Sequence, residues 1–416
     1  MRQRRQRQRW LSGLVATLAC AGLAVNTSPA GAADSQKSTR VASGGITWPA
    51  NLTRIDADDV NVRYAQGALR IRQQDFHSAS AGTEQGYGTQ VLAPKKLDRP
   101  VNRVRAELSA RVPSGARVSV DVRGRAEDGS WTEWREAAGT AAALPRTVTT
   151  VQARITIWDK DGTARIQGLR LTADRGPEPR TEQRAAAFSA RVFATREGLV
   201  GGTTANGHII KPNDHFVALP SRRGLSPNGS SQYSVQVCGP ARCETAPVWD
   251  VGPWNTRDDY WNPSATRESF KDLPQGKPEA QAAYENGYNG GLDGSGRLVA
   301  NPAGIDLADG TFANVGLSDN GWVTVTYLWT GSQTGKTFPT WGTDVRIRQQ
   351  ATTASAEVGR LAGPTQVNVQ CQVHGQRITV DGITNDAWSY LPSYGGYISN
   401  IFIDVADSWL PGVPQC

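Results

Sequence analysis

The sequence lacks most of what would commit it to a membrane, to nucleic acid or to a metal. Beyond its first 25 residues, no stretch approaches the roughly 18–20 apolar residues that a membrane span needs, so none is expected. Net charge is scarce. The formal +7 includes five arginines of the opening MRQRRQRQRW, and the rest carries 40 basic against 38 acidic side chains. No basic patch with interleaved aromatics occurs, so nucleic acid is not an expected partner. Cysteine is limited to Cys20, Cys238, Cys243, Cys371 and Cys416. CGPARC has no histidine nearby to complete a zinc set, so no metal and no cofactor is expected. Internal repeats and low-complexity tracts are absent too.

What is present begins with a leader. A basic start, the apolar run LSGLVATLACAGLAV and Ala30-Gly31-Ala32 read as a cleaved secretory signal over residues 1–32. Arg4-Arg5 is not followed by a good twin-arginine signal. Thr17-Leu18-Ala19 lacks the leucine that would mark Cys20 for lipidation. The expected location is therefore outside the cell, secreted or attached to the wall. In that oxidising setting the other four cysteines allow three pairings. The local one, Cys238 with Cys243 and Cys371 with Cys416, keeps each bridge inside one domain and is favoured.

The patterning predicts an all-β, multidomain chain. Over 45–175, Val118, Val120 and Val122 alternate with polar residues, as do Val151, Ala153, Ile155 and Ile157. Asp128-Gly129 and Asp161-Gly162 mark turns. Short strands at this spacing predict a β-sandwich, with Trp131 and Trp134 either glycan-stacking platforms or packed residues. Residues 176–190 read as a linker. A second β-rich segment spans 191–332, interrupted by the helix-like PEAQAAYENGYNGG, whose glycines should end the helix. A third small segment spans 343–416.

The second segment has a specific order. TTANG (Thr203 to Gly207) precedes FVALPS, then WDVGPWN, then GIDLADGTF, then GWVTVTYLW. This order resembles the double-psi β-barrel domains of the rare lipoprotein A group, relatives of the expansins and barwin. There a Thr-Ala-Asn-Gly turn, an Asp-Arg-Gly-Pro-Phe strand end and an Ile-Asp-Leu-Ser element follow one another. The resemblance covers about a third of the chain. It implies a groove that binds polysaccharide, with peptidoglycan as the expected partner. Some members of that group are lytic transglycosylases, whereas expansins loosen walls without clear hydrolysis. Carried onto this chain, the group's catalytic aspartate falls on Asp250 and its second buried acid on Asp306. Asp306 is expected to cap a helix or turn. His215, in NDHFVALPS, lies near the group's histidine, one residue farther from Leu219 than usual. His208 is a second candidate.

Chemistry at Asp250 would need only one acid. A transglycosylase protonates the glycosidic oxygen while a sugar hydroxyl attacks, so no second carboxylate is required, unlike ordinary glycosidases. That acid must stay protonated in a desolvated pocket. The alternative is a carboxylate that accepts backbone N–H bonds and shapes the Gly-Pro turn. Strand alternation turns Asp250 away from Trp249 and makes Trp254 the groove residue. Nearly fifty residues then separate WDVGPWN from GIDLA, where the group has a short link. This insertion is expected to roof the groove and offer Asp258, Asp259, Tyr260 or Trp261 to a ligand. LDGSGR, which lacks the spaced acids of a calcium loop, is read as a turn. The third segment resembles a bacterial Src-homology-3-type domain through TDVRIRQQ, TQVNVQCQV, DAWSYL and GGYISNIFI. That implies attachment to the wall, with Trp388, Tyr390 and Tyr397 lining a shallow groove. Two readings stand: a wall-binding protein, or a transglycosylase acting through Asp250 and His215.

Overall fold

The computed structural model describes residues 44–79, 86–177, 187–331, 335–342, 344–361, 366–392 and 394–416. The leader expected over 1–32 and most of the expected linker lie outside these residues. The alternating runs of the sequence become strands, and the described chain is mostly β.

An N-terminal module holds β1 (Ile46–Pro49), β2 (Val62–Ala65), β3 (Ala68–Ile71), β4 (Tyr87–Val91), β5 (Lys95–Arg111), β6 (Arg117–Arg125), β7 (Arg135–Glu136), β8 (Ala142–Trp158) and β9 (Arg165–Asp174). They form one sheet in the order β2-β3-β9-β5-β8-β6-β7, with β1 on β9 and β4 on β8. β5 and β8 are long, 17 residues each. The first half of β8 pairs with β5 and its second half with β4 and β6. Alternation sends Val104, Val120, Val122, Ile155, Ile157, Leu169 and Leu171 into one core. Asp128-Gly129 and Asp161-Gly162 fall in turns, as expected.

Six further strands follow: β10 (Phe188–Arg196), β11 (Val217–Leu219), β12 (Ser234–Cys238), β13 (Cys243–Val251), β14 (Ala303–Leu307) and β15 (Gly321–Tyr327). Their order is β11-β14-β10-β15-β12-β13, and β13 returns to β11, closing a six-stranded barrel. Two neighbouring pairs, β10 with β14 and β11 with β13, are parallel. Val192, Val217, Val235, Val248, Ile305 and Val325 fill the interior. The insertion between β13 and β14 carries α1 (Glu279–Asn286). Gly287 ends it at φ 65°, donating its N–H back to the carbonyls of Ala282 and Ala283. A short α2 (Asp309–Asn314) follows β14.

The C-terminal module contains β16 (Lys336–Pro339), β17 (Val345–Arg348), β18 (Glu357–Leu361), β19 (Gln366–Val369), β20 (Cys371–Val380), β21 (Ile383–Leu391) and β22 (Gly396–Ser399). Its sheet continues that of the barrel, because β18 runs parallel to β13 with Glu244 opposite Arg360. Both expected disulfides are present, Cys238–Cys243 closing the β12–β13 hairpin and Cys371–Cys416 tying down the C-terminus. No helix among the described residues is long and apolar enough to cross a membrane.

Candidate functional site

Alternation along β13 does separate Trp249 from Asp250. Trp249 is half-buried, stacks on Phe216 at 5.7 Å and donates its indole N–H to the Ser230 carbonyl. Asp250 points the other way and is fully buried. Its Oδ1 accepts the Ala205 N–H at 2.7 Å and the Val251 N–H at 2.8 Å. Ala205 belongs to the TTANG turn, which therefore lies directly over the carboxylate.

The N-terminal module then covers that turn. Tyr87 donates its hydroxyl to the Ala205 carbonyl at 2.7 Å. Gly207, at φ +95°, leaves only 2.9 Å between the place of a Cβ and Val60, so any side chain there would collide. Val60, Tyr87 and Trp158 form one buried cluster with Ala205, Leu225 and Val251. The Asp250 carboxylate is thus enclosed by the TTANG turn and the N-terminal module packed on it.

Asp306 is a strand residue of β14, not a cap; the helix that follows is preceded by Ala308, and Asp309 occupies its first turn. Asp306 and Asp250 flank the same residue, Ala218 of β11, from opposite sides. Burial pushes the Asp306 carboxyl up to about 7, with the Thr195 hydroxyl bond opposing and the Asp250 charge reinforcing the rise.

His215 does not join this pair. Its Nδ1 lies 3.0 Å from the Glu244 carboxylate, which is fully buried and also held by Thr311 and Asn314. Glu244 is six residues before Asp250 on the extended β13, about 20 Å along the strand. Burial lowers the His215 pKa, but the hydrogen bond and charge of Glu244, with Asp214 and Asp344, outweigh it and the net shift is upward. His208 instead bonds Asp214 at 2.6 Å and packs against Trp249.

The insertion residues expected to meet a ligand are interior. Asp258, Asp259, Tyr260 and Trp261 all have 0% exposure. Asp258 is paired with buried Arg267 and accepts the Glu279 N–H at 2.7 Å. Burial still raises its carboxyl to about 6, against the pull of Arg267. Asp259 binds Arg223 at 2.6 Å and the Glu268 N–H. Tyr260 donates to the Gly304 carbonyl and accepts from Tyr327. The Trp261 indole N–H reaches across to Glu133 of the N-terminal module at 2.6 Å. DDYW is thus the plug that joins insertion, barrel and N-terminal module.

Glu133 had no expected role, although WTEWRE places it between two tryptophans much as WDVGPWN places Asp250. Trp134 is 1% exposed and belongs to the barrel's core cluster, so it stacks on no ligand. Arg123 lies 4.2 Å from the ring centres of both Trp131 and Trp134. LDGSGR is a turn: Asp293 accepts the N–H groups of Ser295 and Arg297 and pairs with the Arg297 guanidinium.

Among the expected binding residues, Trp254 and Tyr390 are half-buried. Trp254 follows a cis Gly252-Pro253 bond and itself sits at φ +60°, an uncommon conformation for a bulky side chain. The ring is half-buried against Ala280 and Ala283 of α1 and against Val299, its N–H donated to Asn301. Arg297 lies 5.7 Å from its centre. Tyr284 is one turn after Ala280 on the same helical stripe and is 54% exposed. In the C-terminal module, Trp388 is buried, with its N–H on the Gln376 carbonyl, and lines no groove. Tyr390 remains half-buried, paired across the strands with Tyr397 at 5.1 Å.

Among the described residues, Asp56, Asp58 and Asp59 bring carboxylate oxygens within 4.8 Å of one another. Their hydrogen bonds account for a turn: Asp59 accepts the N–H groups of Val91 and Asp56. A family profile described as a domain of unknown function (DUF8814) matches residues 188–326, the barrel with its insertion. No curated protein and no solved structure matches the chain.

Proposed function

We propose that this is a secreted, wall-associated protein that binds peptidoglycan or a related polysaccharide without cleaving it. In this reading the barrel is of the double-psi type, the N-terminal module is a β-sandwich and the C-terminal module is an anchoring domain of the Src-homology-3 type. The carrying observation is the contrast at one strand end: Asp250 is sealed under backbone donors, while Trp254 stays half-buried against α1, the helix on which Tyr284 is exposed. Pyranose rings stack on aromatic faces of this kind, which supply apolar area at little entropic cost. The parallel β10–β14 and β11–β13 pairs and the order of the TTANG, WDVGPWN and GIDLA elements support the barrel assignment.

The test is co-sedimentation with purified peptidoglycan, followed by mass spectrometry of the glycan strands. Wild type and Asp250→Asn should pellet alike, and Trp254→Ala should lose at least about tenfold in affinity, the scale of a stacking anchor. Anhydro-muramoyl products that vanish in Asp250→Asn would restore the transglycosylase reading. Undiminished pelleting of Trp254→Ala would remove Trp254 from the binding surface.

A further inference from the structure

A pocket in the N-terminal module shares no residue with the surface around Trp254. We propose that it binds the terminal ring of a saccharide chain, a β-linked pyranose of the glucose type. Peptidoglycan binding at Trp254 is not required for it. The cavity measures about 260 Å³, just under the roughly 300 Å³ at which small-ligand sites begin. That is room for one ring, with the next left in solvent.

Two departures from the sheet form its walls. β1 ends with Pro49 opposite Arg170, and after the Ala50 N–H bond to the Leu169 carbonyl the chain leaves β9. Trp48, Asn51, Arg54 and Asp56 line the pocket from this side. β4 and β5 both pair with β8, but the chain takes one residue more from Val91 to Lys95 than β8 takes between their partners Arg154 and Val151. The surplus residue bulges and Pro94 has no N–H to pair. Ala93 and Pro94 line the pocket from that side, and buried Leu92, Val151 and Leu171 supply apolar lining. Buried Gln90 donates to the Leu52 and Arg54 carbonyls at 3.1 and 2.8 Å, and Gln152 donates to the Leu92 carbonyl at 2.9 Å. Both walls are therefore fixed before a ligand arrives, which spares it the cost of ordering them.

The lining has the two surfaces that a sugar ring has. Trp48 is half-buried against the module's core, and its indole N–H has no partner among the described residues. Asn51 Oδ1 accepts the Thr53 N–H and hydroxyl at 3.0 and 2.7 Å, which leaves the Asn51 amide N–H groups for a ligand. Arg54 Nε meets Asp56 at 3.1 Å in an exposed pair, using one of the five N–H donors of the guanidinium. The pair is neutral as a whole and sets donors beside an acceptor, as neighbouring sugar hydroxyls require. An acyl chain would bury these polar groups without partners, at a cost. A glucose-type ring meets both surfaces, because its equatorial hydroxyls bond at the edge and leave C–H groups on the faces for the indole.

Saturation-transfer NMR on the full chain would use chitotriose, cellotriose and decanoate. At least one sugar should receive saturation, strongest on a terminal ring, and should keep it in Trp254→Ala, where the other surface is removed. Trp48→Ala should weaken binding about tenfold, the scale of one lost stacking contact. Ala93 is exposed, so Ala93→Leu removes no buried contact and should block the pocket outright. A thermal melt checks that both variants fold. The proposal falls if neither sugar receives saturation in Trp254→Ala, if the middle ring receives most of it, if folded Ala93→Leu binds as wild type does, or if decanoate binds in place of both sugars. Failure of wild type to pellet with peptidoglycan, with trisaccharide binding retained, would overturn the Trp254 reading and leave this pocket in place.

Discussion

Replacing Glu133 by alanine should destabilise the protein by about 3–5 kcal/mol, the cost of removing one partner from a buried charged network. The carboxylate is 6% exposed. Oε1 accepts the indole N–H groups of Trp261 at 2.6 Å and Trp329 at 2.9 Å, and Oε2 accepts the Asn262 amide at 2.8 Å. Arg135 lies 3.7 Å away. Alanine strands three interior donors, each worth about 1–3 kcal/mol when unsatisfied, and the network relaxes enough to keep the total below their sum. Glutamine retains one acceptor for the indoles but turns an amide donor toward Asn262, so it should cost less, about 1–3 kcal/mol.

Urea titrations followed by tryptophan fluorescence measure both variants. The pH dependence adds a second check. Burial alone would raise the Glu133 pKa, but the charges of Arg135 and Arg223 and the indole bonds outweigh it, leaving it below 4.5. With the folded pKa depressed, the contribution is present above the unfolded value and is lost as pH falls through the folded one. The gap between wild type and alanine should therefore narrow on acidification below 4.5. A cost under about 1 kcal/mol, or a gap that does not change with acid, would refute the hub.

Three other outcomes follow from the same reasoning. Asp306, with its folded pKa raised to about 7, contributes stability that is full below its unfolded value and lost as pH rises through about 7. Asp250→Asn removes the like charge, so its urea midpoint should decline less than that of wild type between about pH 4 and 7; an equal or steeper decline would count against the coupling. Opening Cys371–Cys416, which spans 45 residues, should cost about 4 kcal/mol, and opening Cys238–Cys243, which spans five, about 2 kcal/mol on the loop-entropy relation; serine pairs at each bridge, unfolded in urea, give the comparison. His215 should titrate above 6.5 by NMR, its stabilising effect full below its unfolded pKa and fading as pH rises through the folded one. Glu244→Gln should bring that titration down, and no change would remove Glu244 as the cause.

Strands, turns and bridges were legible because their signals are local. Alternation in β6 and β8, the two Asp-Gly turns, the glycine stop after α1 and the pairing Cys238–Cys243 each depend on residues within one or two turns of each other. The fate of DDYW was not legible. Its partners Arg223, Arg267 and Glu133 stand 36, 9 and 128 residues away from the side chains they hold. The roof expected from composition became the most buried part of the insertion. Trp388 misled for a related reason: a tryptophan in an alternating strand reads the same whether its face meets solvent or the Gly375 backbone that covers it.

By itself the sequence determined a mostly β chain, the turn that the short Cys238–Cys243 bridge closes and the strand that carries Asp250, since period-two alternation and local spacing act over a few residues. Only the tertiary structure decided what Asp250 and Trp254 became. The N-terminal module, joined to the barrel through Tyr87, Val60 and Glu133, covers the TTANG turn and closes the carboxylate beneath it. Trp254, four residues on, rests on α1 and keeps part of its ring in solvent. The difference is which distant surface each side chain meets, and contacts across a hundred residues leave no periodicity in the chain that makes them.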